Sequence, residues 1–234
     1  MDLVWAVTGA VLGLVAGAAL RGPAHRLSVA SGTPWRTACP ACGRPYPGPL
    51  TPRCAGCGDR PLPMFVVELA TAATLALVLG RLAGRWEVAA FAVLAVLGVL
   101  LSVVDLTVRR LPDRVTLPAY PLVFGLLTVA AVAGDDPGAL LRSALGGLVL
   151  AAAYLALALL RPGHLGGGDV KLAGLLGLAL GWLGWHALLW GTTLAFVLFA
   201  LVGLALLATR RITARSHLPF GPFMLAATLL TVLL

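Results

Sequence analysis

Charge is scarce in this chain. Only 11% of its 234 residues are charged and only nine are acidic, while 60% are hydrophobic. A soluble domain of this size has too little interior to hide so much apolar surface, so lipid must cover the remainder. The mean hydropathy of +0.98 agrees, and a soluble protein is excluded. Also lacking is any basic stripe interleaved with aromatics, so the net charge of +8 does not point to nucleic acid. Basic residues gathered in loops between membrane spans account for it.

Apolar runs near the length of about 20 residues that crosses a bilayer recur along the whole chain. Eight are read, at residues 3–20, 64–80, 88–104, 117–133, 139–160, 171–183, 185–208 and 218–234. They predict an all-α integral membrane protein, a polytopic bundle of about eight transmembrane helices. The sixth run is short and Gly-rich, and its boundary with the seventh is the least marked. Abundant Ala, Leu and Gly suit close helix packing in lipid. The first run has no basic residues before it, only Asp2, and Arg21 and Arg26 follow it. That is the pattern of a retained helix with its N-terminus outside, not of a signal peptide.

Alternate loops test this topology. One set holds Arg21, Arg26, Arg36, Arg44, Arg53, Arg60, Arg109, Arg110, Arg114, Arg161, Lys171, Arg210, Arg211 and Arg215, which is fourteen of the seventeen basic residues. The other holds Arg81, Arg85 and Arg142, with the acidic pair Asp135 and Asp136. The bias places the first set in the cytoplasm and both termini outside. Residues 1–20 are then the first transmembrane helix, 21–63 a cytoplasmic loop and 64–234 the membrane core.

No cysteine lies outside that loop. Its four form two pairs, Cys39-Pro-Ala-Cys42 and Cys54-Ala-Gly-Cys57, each followed by glycine (Gly43 and Gly58). Four thiolates suit a closed tetrahedral zinc site, and a loop too small to build a core needs such a staple. Two disulfides are the alternative, but the topology puts the loop in a reducing compartment. A site of four cysteines leaves no open coordination position, so the expected role of zinc is structural.

Acidic residues near the spans each need a reason. Asp105 ends the third run, and Asp169 follows three glycines, Gly166, Gly167 and Gly168, at the start of the sixth. The topology puts both at the cytoplasmic membrane face on different helices. Two facing carboxyls in a low-dielectric site do not easily both ionise, so one can act as acid while the other acts as base toward water. The glycines leave space beside the carboxylate for an extended substrate backbone. The plainer readings are a flexible turn with Asp169 capping the next helix, and Asp105 paired with Arg109 or Arg110. Lys171 beside the glycines suggests a phosphate cradle, but the spacing fits no phosphate-loop motif. Asp113, after Leu111-Pro112, is placed as the N-cap of the fourth span. Glu68, inside the second span, is given a structural partner within the bundle. His25, His164, His186 and His217 show no ligand spacing, and His164 is placed in a loop.

Taken in order, these residues resemble the type IV prepilin peptidases, membrane aspartic proteases of the GxGD type. Cys39, Cys42, Cys54 and Cys57 match the paired cysteines of that family's first cytoplasmic loop, and Glu68 an acidic position after it. Asp105 with Leu111-Pro112-Asp113 matches the first aspartate and its downstream Pro-Asp. Gly166, Gly167, Gly168, Asp169 and Lys171 match the GxGD motif with its lysine, and Phe220-Gly221-Pro222-Phe223 a signature before the last helix. The resemblance implies an aspartic endopeptidase that removes the leader peptide of type IV prepilin or pseudopilin-like proteins, with Asp105 and Asp169 catalytic. Many bacterial members also methylate the new N-terminal amine using S-adenosylmethionine. Here the first loop is short and the usual Gly-Ser-Phe reads Ala16-Gly17-Ala18, so the peptidase carries over ahead of the methylase. A proton-coupled transporter using the same aspartates is the alternative. It usually shows matching halves, and none is found.

Overall fold

Backbone polar groups inside a bilayer find no water, so a crossing segment must satisfy them within itself as a helix. The computed structural model describes all residues except 31, 47, 49, 51–53, 59–64, 161–164 and 214–217, so His164, His217, Arg53, Arg60, Arg161 and Arg215 lie outside the described residues. Among the described residues there are eight helices: α1 (Leu3–Leu27), α2 (Val66–Arg81), α3 (Val88–Val108), α4 (Asp113–Gly134), α5 (Pro137–Leu160), α6 (Gly167–Leu183), α7 (Trp185–Ala208) and α8 (Gly221–Leu233). The only other pairing described is an isolated antiparallel bridge between Ala38 and Pro45. The protein is the expected all-α membrane bundle.

Five helices, α1, α3, α4, α5 and α7, are long and apolar enough to cross a membrane. At about 1.5 Å per residue they extend roughly 30–38 Å. Helices α2, α6 and α8 are shorter, with 16, 17 and 13 residues. The short α6 has a physical reason: every residue from Leu172 to Trp182 is buried, so neighbouring helices cover it. In contrast, α7 buries Leu188, Gly191 and Ala195 and presents Leu189, Trp190, Leu201 and Leu204 outward, where lipid is the only apolar cover.

Two pairs of helices approach backbone to backbone. Gly9, Gly13 and Gly17 recur every fourth residue on one face of α1, against α2. A Cβ built at Gly13 would lie 2.5 Å from the Cα of Ala72, and one at Gly17 would lie 2.5 Å from the Cα of Glu68. The same device joins α5 to α6, where a Cβ at Gly177 would lie 2.5 Å from the Gly146 carbonyl oxygen. Such contacts replace a hydrophobic driving force that lipid does not supply.

The chain reversals define two ends. At one, the Ser28 and Thr107 hydroxyls lie 2.8 Å apart, Arg110 donates to the Ala30 carbonyl at 2.9 Å, and Lys171 pairs with Asp113 at 2.7 Å. At the other, Asp2 N–H donates to the Gly80 carbonyl at 2.8 Å and Arg81 Nε to the Leu233 carbonyl at 3.2 Å.

Three boundaries differ from the apolar pattern. Helix α1 continues past residue 20 and through Pro23 to Leu27, because His25 and Arg26 are held by the following loop. Helix α4 begins at Asp113 itself, with Pro112 as the N-cap and no side-chain cap bond. Helix α6 begins within the glycine run.

The glycine contacts yield a stability prediction. Gly177→Ala should destabilise the bundle by about 1–3 kcal/mol through overpacking. Gly125→Ala on α4, where a Cβ meets nothing within 4 Å, should be neutral or stabilising by up to about 1 kcal/mol. Thermal unfolding of both variants in one detergent measures the difference; equal melting points would remove the α5–α6 contact from the account.

Candidate active site

Asp105 lies on the last turns of α3 and is 5% exposed. Its Oδ2 accepts a hydrogen bond from the Gly221 N–H at 3.2 Å, a donor at the first residue of α8. A free helix N-terminus carries unpaired N–H groups and partial positive charge, so a carboxylate is a natural partner there. Neither Arg109 nor Arg110 forms an ion pair with Asp105 among the described residues.

Phe220 fixes that donor. Its ring lies 5.1 Å from Phe196, 5.2 Å from Phe199 and 6.2 Å from the buried Tyr154, joining α5, α7 and the start of α8. This aromatic cluster orients α8 so that Gly221 meets α3 from a third direction. The approach leaves no room for a side chain: a Cβ at Gly221 would lie 2.7 Å from Asp105 Oδ2 and 3.5 Å from Leu172 on α6.

Asp169 is the third residue of α6. Its Oδ2 accepts from the Gly166 N–H at 3.1 Å, while its own N–H donates to the Gly166 carbonyl at 3.0 Å. This reciprocal arrangement starts the helix and holds the carboxyl at its mouth. The capping expectation and the site expectation therefore fall on one residue. Asp105 and Asp169 lie within electrostatic range of each other, and Tyr154 lies within range of Asp169.

Gly166, Gly167, Gly168 and Asp169 line a cavity of about 320 Å³ together with Arg109, Arg110, Leu111 and Asp113. The glycines do two jobs. A Cβ at Gly168 would lie 3.0 Å from Leu111, so that glycine lets the α3–α4 turn close on α6, whereas Gly167 faces open space. Lys171 does not point at a phosphate cradle; its Nζ holds Asp113 Oδ1, and the Tyr120 hydroxyl donates to the Lys171 carbonyl at 2.6 Å. Asp113 thus ties α4 to α6 instead of capping its own helix. Both partners are well exposed, so the pair is worth at most about 1 kcal/mol. Glu68 pairs with Arg21 at 3.1 Å, joining α2 to α1.

The four cysteines form a second constellation. Their sulfurs all lie within 4.8 Å of one another, with Cys39 to Cys57 at 3.7 Å and Cys42 to Cys54 at 3.4 Å, and all four are free thiols. A tetrahedron of sulfurs about 2.3 Å from a metal has edges of about 3.8 Å, so the donor set fits a four-coordinate ion. Gly43 and Gly58 both stand at φ +72° and donate N–H bonds to the Cys39 and Cys54 carbonyls, which turns each knuckle in the same way. Hydrogen bonds from the backbone of Cys57, then of Gly56, hold the Cys54 thiol down at about 6, which favours the thiolate a metal needs. The loop is docked on α1: the Tyr46 hydroxyl lies 3.0 Å from His25 Nε2, and Arg26 reaches the Gly48 carbonyl and stacks over Tyr46.

The sequence profile of the type IV leader peptidase family matches residues 91–209, which include both aspartates. The chain belongs to the type IV leader peptidase family. A prepilin leader peptidase/N-methyltransferase of Aeromonas hydrophila is 34% identical over 206 residues, covering 82% of this chain and 69% of the relative. Proteins of the same name from Bacillus subtilis (strain 168) and Burkholderia pseudomallei (strain 1026b) are 29% and 31% identical. They cover 95% and 97% of this chain and 92% and 83% of their own lengths. No solved structure gives a significant match.

Within this leader peptidase, Gly221 and Tyr154 had no role assignable from sequence. For Gly221 the signal was present in Phe220-Gly221-Pro222-Phe223, but its use appears only when α8 meets α3. For Tyr154, one tyrosine in an apolar run, no signal existed. Gly221→Ala should lower leader-peptide cleavage by about 10- to 100-fold, because it displaces the Asp105 carboxyl or its donor. Gly203→Ala on α7, where the nearest atom to a new Cβ is at 3.7 Å, should cleave at the wild-type rate. The comparison is made at matched expression and melting temperature, and full activity in Gly221→Ala would detach α8 from the site.

Proposed function

We propose that this protein is an intramembrane aspartic endopeptidase, removing the leader peptide of prepilin or pseudopilin-like proteins at the cytoplasmic membrane face. The observation that carries the reading is that Asp105 and Asp169, from two different helices, lie at one end of the bundle and within electrostatic range of each other. One carboxyl holds a proton for the leaving group while the other draws one from the attacking water. Gly166, Gly167 and Gly168 leave a strip of backbone against which an extended substrate can lie, with Lys171 and Asp113 bracing its edge. An apolar groove of about 320 Å³ between α2, α3 and α8 runs to Ser102 and Pro222, beside Asp105, and suits the apolar part of a membrane-held substrate.

Proton-coupled transport is less well supported. Both aspartates sit at the same end, and the buried stretch of α6 from Leu172 to Trp182 carries no ionisable side chain to continue a relay.

Asp105→Asn and Asp169→Asn should each lower cleavage by at least about 10²-fold. The double variant should fall little further, since the two act as a unit. Asp113→Asn should stay close to wild type. Mass spectrometry of a prepilin substrate reads the new N-terminus in every case, and cleavage is expected without obligatory methylation of that terminus. Near-normal cleavage by either single Asn variant would end the dyad.

We further infer that Cys39, Cys42, Cys54 and Cys57 hold one structural zinc, in a loop facing the reducing cytoplasm. Bound there, zinc would lock the loop, which a thiol cluster alone cannot do. Elemental analysis should return one zinc per chain, lost in Cys39→Ser/Cys54→Ser. A reporter fused after Arg60 should read cytoplasmic and one after Arg142 the opposite side. Zinc-free protein with two disulfides, or both reporters on one side, would refute this placement.

A further inference from the structure

Basic residues are scarce at the end of the bundle away from the aspartates. Among the described residues, Arg81, Arg85 and Arg142 are the arginines and lysines that lie there, and all three line a single cavity of about 600 Å³ between the α2–α3 turn, the α4–α5 turn and the starts and ends of α6, α7 and α8. Loops that bear so few cations have no general reason to gather them.

Their partners differ. Arg85 is matched by Glu87 at 2.7 Å. Arg81 donates to the Leu233 and Leu234 carbonyls at 3.2 and 3.4 Å, and neither it nor Arg142 pairs with a carboxylate side chain among the described residues. Asp136, also in the wall, spends its Oδ1 on the Ala139 N–H at the start of α5, at 2.8 Å. The wall therefore carries three guanidinium groups against two carboxylates, Glu87 and Asp136, and neither Arg81 nor Arg142 is in direct contact with either carboxylate. Trp86, Trp182 and Trp190 line the same space, with Trp86 and Trp190 more than 60% exposed. Indole rings favour headgroup depth, where one edge meets apolar chains and the other meets water.

We propose that this cavity binds the phosphate of an anionic phospholipid, held by Arg81 and Arg142, with its acyl chains running down past Trp190 on the lipid-facing side of α7. Guanidinium groups suit phosphate oxygens by shape as well as charge. The cavity is separate from the aspartate site, so the binding stands apart from the proposed peptidase reading.

The test is native mass spectrometry of the purified protein after incubation with phosphatidylglycerol or phosphatidylcholine vesicles. Wild type should retain phosphatidylglycerol in preference to phosphatidylcholine. Arg81→Gln and Arg142→Gln should each weaken that retention about fivefold, and the double variant further. Arg142→Lys, which keeps the charge and guards against a folding artefact, should keep most of the preference at an unchanged melting temperature. Equal retention of the two lipids, or an undiminished preference in the double Gln variant, would overturn the proposal. Displacement of the lipid by millimolar inorganic phosphate would overturn it too, in favour of a soluble anion.

Discussion

The carboxyl of Asp169 is in place because α6 can be buried, and α6 can be buried because it has almost no side chains where it meets α5. Gly146 and Gly177 bring the two backbones into contact, and Ser143 adds a hydroxyl bond to the Leu178 carbonyl at 2.8 Å. A helix of leucines alone would gain nothing from leaving lipid for protein, since both are equally apolar. Close packing and one satisfied hydroxyl supply the difference. With α6 fixed in the middle, its first turn becomes a rigid platform, and Asp105 on α3 and the start of α8 are brought to it.

Three polar contacts brace the candidate site. Asp105 takes the Gly221 N–H, Asp169 takes the Gly166 N–H, and Lys171 takes Asp113. Such bonds stiffen the geometry on which the proposed acid–base pair would rely. The four-cysteine loop shares this end through Ser28, Trp35 and Arg110, with Trp35 stacked on Arg114 of α4. A metal in that loop would stabilise a wall next to the site, without coordinating the reacting groups.

The opposite end is built on different chemistry. Three tryptophans and three arginines line its cavity beside Glu87 and Asp136, where the aspartate end is lined by a glycine run. The two ends share one bundle, but one gathers the two aspartates and the glycine run while the other gathers tryptophans and arginines.

Eight apolar runs, the segregation of basic residues and the paired cysteines were readable directly, because water, lipid and thiol chemistry each act on local composition. A span must be apolar over its length whatever surrounds it, and two C-x-x-C pairs in one short loop can scarcely avoid each other. Where α1 ends was not readable, since apolarity stops at residue 20 while the helix runs on to Leu27 under the grip of Tyr46 and Gly48. Nor was the partner of Asp113: its position before a helix suggested a cap, and the nearby lysine that holds it instead lies fifty-eight residues away in sequence. By itself the sequence determined the class, the apolar runs and where the few charged residues fall among them, because these follow from what each residue costs in lipid. Only the tertiary structure decided that Gly221 donates to Asp105, that α6 is central, and that three scattered arginines share one cavity. Those are contacts between distant segments, set by how helices pack, and no local property of the chain specifies them.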